Sequence, residues 1–96
     1  MKKISPDKIK MLGKAVIETE QVALSSLTKR IDNKFVDACN IILSCNGRTV
    51  VTGMGKSGHI GNKIAATLAS TGTPASFLDP GEASHADLGM ITPDDV

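Results

Sequence analysis

Aromatic residues are nearly missing from this chain. Its 96 residues include two Phe, no Tyr and no Trp, which argues against a base-stacking platform for single-stranded nucleic acid. Excess charge is missing too. Eleven Lys and Arg against ten Asp and Glu leave a net +1, so no broad basic face for a nucleic-acid backbone is expected. Cysteine is scarce. Cys39 and Cys45 fall in one predicted helix, spaced so that they cannot join as a disulfide. They are expected as small core or boundary thiols in a reducing compartment. No run approaches the ~18 apolar residues that a membrane span needs. The basic start Met1-Lys2-Lys3 is not followed by the apolar stretch of a signal peptide. The expectation is a cytoplasmic protein that partners neither nucleic acid nor membrane.

What the chain does have is enough apolar content, 41%, for a packed core. Its length allows at most one small domain, burying ~60–65% of its unfolded surface. Ser5-Pro6-Asp7 opens a helix with a capping hydroxyl, a proline in the first turn and an acid at the positive end of the dipole. Leu12, Val16, Ala23 and Leu27 follow helical spacing, with Ile17, Leu24 and Ile31 as a second row. So wide a stripe suits packing against more than one neighbour, within the domain or in an oligomer. Asp32-Asn33 caps a second helix, predicted over 34–45 and ended by Asn46-Gly47. Arg48 to Thr52 is a strand. The adjacent Val50 and Val51 imply burial on both faces, as in a parallel sheet.

A third helix is predicted from Gly58 to about Ser70, with a row of small residues at Gly61, Ala65 and Ala69 that lets it lie close to a sheet. Thr71-Gly72-Thr73-Pro74 ends it, and Ala75 to Leu78 is a second strand. Asp79-Pro80-Gly81 breaks that strand, and a polar segment follows through Gly89. Thr92 to Asp95 is a turn, and at Val96 a third strand can open. Strand, helix, strand implies a right-handed parallel unit. So few strands point to a piece of a larger α/β domain: a helical lead-in over 1–47, then a strand–helix–strand unit over 48–96.

The chemistry concentrates where the first strand meets a loop almost free of side chains, Gly53-Met54-Gly55-Lys56-Ser57-Gly58. Glycine lets a backbone approach an anion closely. The helix behind it offers unpaired N–H groups and a positive dipole end, and Lys56 adds a full charge. Three readings compete. A P-loop needs a glycine at position 50, which is Val50. A dinucleotide loop has the literal G-x-G-x-x-G, with Asp79 near the expected ribose-binding acid. Against it stand the long helical lead-in and a Lys inside the turn. The third is a sugar-phosphate site.

The blocks Val-Thr-Gly-Met-Gly-Lys-Ser-Gly-His-Ile-Gly (51–61), Ala-Ser-Thr-Gly-Thr-Pro-Ala (69–75) and Pro-Gly-Glu-Ala-Ser-His-Ala-Asp-Leu-Gly-Met (80–90) together resemble the sugar isomerase (SIS) domain of the bacterial arabinose 5-phosphate isomerases. The resemblance implies a three-layer α/β fold, a parallel sheet flanked by helices, with only its N-terminal part in these residues. It implies interconversion of D-ribulose 5-phosphate and D-arabinose 5-phosphate, which feeds 3-deoxy-D-manno-octulosonate synthesis for lipopolysaccharide or capsule. It implies no cofactor, and a homo-oligomer, a tetramer by family pattern. Lys56 and His85 are the expected catalytic residues. Gly53, Gly55, Ser57, Gly72, Thr73 and His85 are the expected substrate contacts.

Aldose–ketose isomerisation needs a base, a stabiliser for the developing oxyanion and help with ring opening. Lys56 fits the oxyanion or the phosphate, and His85 the ring opening. His59 is either a substrate contact or a helix-start residue. Glu82 and Asp87 are the carboxylates at hand, neither chosen as base. The resemblance implies catalytic glutamates and a Ser-rich phosphate loop beyond residue 96, so these residues alone are not expected to turn over substrate. Asp79 departs from the family pattern, which has a metal-linked His there, and no metal site is expected. The rival readings are a non-catalytic phosphosugar-sensing SIS module and a dinucleotide-binding oxidoreductase fragment.

Overall fold

The computed structural model describes residues 3–85 and 87–96, without the side chains of His85 and Asp87. The chain forms two compact units, Met1–Val36 and Asp37–Val96.

The first unit is mostly helix α1, Pro6–Leu27. It begins as its sequence dictates: Ser5 is extended, its hydroxyl accepts from the Lys8 amide at 3.2 Å, and Pro6 fills the first turn. A short 3-10 turn, Thr28–Arg30, follows. Helix α2 spans Asn33–Leu43 and starts under the Asp32 carboxylate, which accepts from the Lys34 and Phe35 amides. It ends two residues before the predicted stop. Ser44 and Cys45 still donate backward, to Asn40 and Ile42, so a frayed turn replaces the last helical one.

The second unit is built on two parallel strands, β1 (Thr49–Thr52) and β2 (Ala75–Leu78), with Thr49 opposite Ala75 and Thr52 opposite Leu78. Helix α3, Gly55–Ser70, connects them. Parallel strands need such a crossover. The small residues decide how close it lies. A Cβ on Gly61 would stand 3.2 Å from Val51 Cγ1 and 3.3 Å from Phe77 Cε2, so those side chains would have to shift to admit it. Gly58, Gly61 and Ala65 are the buried residues of α3, while Ile60 and Ile64 point away from the sheet and are exposed. Strand alternation then sends Val51 and Phe77 toward α3, and Val50, Thr52 and Leu78 to the opposite face.

That opposite face is partly roofed by a segment whose sequence is polar. Residues Pro80–His85 form helix α4, and Asp87–Met90 a 3-10 turn. Asp79-Pro80-Gly81 does end the strand, but Pro is well placed at a helix's first turn, and the Asp79 carboxylate caps it. The three layers are thus α3, the sheet, and α4 with its turn.

Val96 bonds to the free edge of β1. Its amide donates to the Arg48 carbonyl at 3.0 Å, and its carbonyl accepts from the Val50 amide at 2.7 Å. This is the parallel pattern, centred on Thr49. The chain leaves β1 for β2 on one side and returns at Val96 on the other.

Asp95 steers that return. Its carboxylate accepts from the Arg48 amide at 2.7 Å and the Thr92 amide at 2.8 Å, with the Arg48 guanidinium 3.9 Å away. The guanidinium also donates to the Met90 carbonyl at 3.1 Å. The two backbone amides, Arg48 first, hold the Asp95 carboxyl below its ordinary value of 3.8. A carboxyl lowered by folding stabilises the fold above its unfolded pKa, and that contribution is lost as pH falls through the folded value. Asp95→Ala is therefore expected to lower the melting temperature at pH 7. In a melting series against pH, its difference from wild type should shrink as pH falls below 3.8.

Candidate active site

In an open α/β sheet, ligands bind outside the carboxyl ends of the strands, where neighbouring connections leave in opposite directions. Here that place is the end of β1, between β2 and Val96. The glycine loop sits there.

β1 ends at Thr52, whose hydroxyl donates to the Leu78 carbonyl and ties the two strand ends together. Met54 is extended and takes the N-cap position without a side-chain bond. Gly55 follows at φ +57°, with open space where a side chain would be. That left-handed start suits glycine, and it moves the helix start forward. Helix α3 begins at Gly55, three residues ahead of the predicted Gly58, because glycine propensity yields to the geometry of the turn. Gly55, Lys56 and Ser57 therefore form the first turn, where amides lack intrahelical partners. The Gly58 amide is the first to bond back, to Met54 at 3.4 Å. Lys56, Ser57 and His59 are exposed around this end.

Gly58 and Gly53 close the loop against each other. A Cβ at Gly58 would lie 2.6 Å from the Gly53 carbonyl oxygen, and one at Gly53 3.0 Å from the Ser57 carbonyl. The backbone turns in a space that only glycines allow.

Beside the loop, on the sheet face opposite α3, is a crevice of about 740 Å³. Gly53, Met54 and Ser57 form one end, Val50, Thr52 and Leu78 its floor, and Pro80 and Ala83 of α4 part of its wall. Most of this lining is apolar. The polar groups gather at the loop end.

Of the expected site residues, the structure brings Gly53, Gly55, Lys56 and Ser57 together. His85 closes α4, next to the crevice wall; its side chain is outside the described ones, as is that of Asp87. Gly72 and Thr73 fall elsewhere. They precede β2, whose first residue pairs with the first of β1, so they lie at the other end of the sheet, about 13 Å or more from Gly53 by strand rise. There they complete the end of α3. Gly72 sits at φ +101°, its amide donates to Ala69, and the Thr73 amide donates to Leu68 at 2.9 Å. This is a Schellman ending, with glycine at its left-handed position.

Asp79 stands out twice in the sequence, as a ribose-binding acid and as a departure from a metal-linked His. In the structure its Oδ1 accepts from the Gly81 amide at 2.8 Å and the Glu82 amide at 3.3 Å. The acid that a dinucleotide would need is engaged as a helix cap. Sequence reasoning missed this role. The signal was present: Asp before Pro, followed by Gly-Glu, is a helix opening. Among the described residues no group of three or more His, Cys, Asp or Glu could hold a metal.

A parallel sheet whose first strand turns through glycines into a helix start defines an α/β class of protein with an anion-binding crevice at the strand end. The comparisons agree with that class. The model of the SIS domain matches residues 42–96, more than half of the chain, and the chain belongs to the SIS-domain family. It is 61% identical over 84 residues to arabinose 5-phosphate isomerase KdsD of Yersinia pestis, covering 88% of this chain and 26% of that protein. The KdsD of Pseudomonas aeruginosa is 62% identical over 80 residues, covering 83% and 24%. The chain thus spans about a quarter of the length of these curated relatives. A solved structure of Escherichia coli CFT073 c3406, in complex with arabinose 5-phosphate, superposes with a TM-score of 0.89 at 39% identity, over 97% of this chain and 50% of that one.

The tight turn makes a checkable demand. Gly58→Ala, with its Cβ against the Gly53 carbonyl, is expected to destabilise the fold by about 1–3 kcal/mol. In chemical denaturation its midpoint should drop with the slope unchanged. Ala at Gly13, which has nothing within 4 Å of its Cβ position, should leave the midpoint unchanged or raise it.

Proposed function

We propose that the protein interconverts D-ribulose 5-phosphate and D-arabinose 5-phosphate, as an aldose–ketose isomerase serving 3-deoxy-D-manno-octulosonate synthesis. The observation that carries this reading is the Gly53–Ser57 turn at the carboxyl end of β1. Gly53, Met54 and Ser57 of this turn line one end of the crevice, and the turn carries the first-turn amides of α3 and the exposed Lys56. The high identity to proteins named KdsD supports the same assignment.

The isomerisation moves a proton between C1 and C2 of the open-chain sugar, through an enediol-like intermediate. Lys56 and the amides of the α3 start stabilise negative charge, on the phosphate or on the oxygen that becomes anionic in the transition state. Fixed donors at such a position contribute more than donors in water, because they need no reorganisation. His85 assists ring opening from the α4 side.

No helix among the described residues is long and apolar enough to cross a membrane. Cys39 and Cys45 are free thiols, which suits a reducing cytoplasm. Leu12, Val16, Leu24 and Leu27 of α1 are exposed, which suits a homo-oligomer.

Thermal shift of the intact protein separates this reading from a nucleotide-binding one. Ribulose 5-phosphate at 100 times its Kd should stabilise by about 2.7 kcal/mol, and NAD should not. Stabilisation by NAD alone overturns the proposal. Lys56→Ala should lower kcat/KM at least about 10²-fold, with the melting temperature unchanged because Lys56 is exposed. A full-rate K56A enzyme would remove the role given to this residue.

A further inference from the structure

Asp79 stands at the end of β2, one residue before α4. Its carboxylate oxygen Oδ1 accepts from the amides of Gly81 and Glu82, and its backbone carbonyl accepts from the Ala83 amide at 2.9 Å. One residue therefore bonds three consecutive amides at the start of a helix six residues long. A helix this short has little internal bonding to hold its direction, so the cap decides the direction in which it leaves the sheet. Gly81 reinforces the fit. A Cβ there would lie 3.0 Å from Asp79 Oδ1, crowding the bond that the carboxylate makes. What α4 carries is the crevice wall: Pro80 and Ala83 line the space that opens at Gly53 and Ser57.

We infer that Asp79 is a positioning residue. By capping α4 it sets the crevice wall facing the glycine loop, and it acts neither as an acid–base group nor as a metal ligand. Capping needs an acceptor oxygen two to three residues ahead of the amides and does not need a charge. Asn and Ser supply that oxygen, and Ala does not.

The test compares Asp79→Asn, Asp79→Ser and Asp79→Ala in the intact protein by two readouts. The first is amide hydrogen exchange of residues 81–84 without ligand. Asn and Ser are expected to match wild type, and Ala to exchange about fivefold faster, the factor that a lost cap implies. The second is isomerisation kinetics, which rests on the function proposed above. Ala should raise the KM for arabinose 5-phosphate several-fold with a smaller change in kcat. Asn should keep both parameters, and the shape of the pH–rate profile, of wild type. If Asn is as damaging as Ala, or removes one limb of the pH profile, the charge matters and the inference falls. It falls equally if Asn releases a divalent metal that wild type retains, or if Ala exchanges no faster than wild type. An enzyme inactive in every form, with exchange following the capping order, would defeat the substrate assignment and leave the cap standing.

Discussion

The contact on which the second unit depends is the approach of α3 to the two strands through residues that have almost no side chain. Gly58 meets the Gly53 carbonyl, Gly61 meets Val51 and Phe77, and Ala65 is 3% exposed. Helix–sheet packing usually rests on large apolar side chains. Here the large ones, Ile60 and Ile64, are turned outward and exposed. A helix held at that distance starts just after the end of β1, with its first-turn amides beside the strand end where a sheet of this topology leaves its crevice. Gly58 and Gly61 pack against the turn and the strands, while Gly55 has open space where a side chain would be.

The two ends of β1 do different work. At its start, Asp95 and Arg48 tie together the strand, the Thr92–Asp95 turn and the Met90 carbonyl. These bonds bring Val96 back alongside β1 and make that strand the middle one. At its end, the Thr52 hydroxyl bonds to the Leu78 carbonyl and the glycine turn follows. A rigid, charge-assisted clamp at one end of a short strand thus leaves the other end free to be built from bare backbone. The Gly72–Thr73 turn belongs to the clamped end, where it finishes α3.

Much of this is legible from residue order. The Ser5-Pro6-Asp7 opening, the Asp32 cap, both strands and the Thr92–Asp95 turn follow from local chemistry, which a linear sequence displays directly; that Val96 returns beside β1 does not. Of the small-residue row on α3, Gly61 and Ala65 are the close-packing residues that the spacing suggests, while Ala69 is exposed. Two further features are not legible. The start of α3 is expected three residues too late, because glycine-rich sequence looks like loop until the left-handed Gly55 is seen to launch the helix. Helix α4 reads as an irregular polar segment, because six residues give no hydrophobic period to detect. In the site, pattern alone finds the glycine loop and Lys56. That Gly72 and Thr73 lie at the opposite end of the sheet depends on strand register, which spacing along the chain does not encode.

The open space beside Gly55 carries one more consequence. A recognition surface made of main-chain amides does not titrate. Its grip on an anion stays constant across the pH range in which histidines and carboxylates change state. Changing an exposed side chain such as that of Ser57 leaves the peptide groups where they were, whereas Gly53 and Gly58 have no room for a replacement. Acidity can therefore alter the ligand's own charge, or the residues that perform chemistry, while the cradle itself keeps the same donor strength. Affinity and turnover in such a protein are free to follow different pH curves.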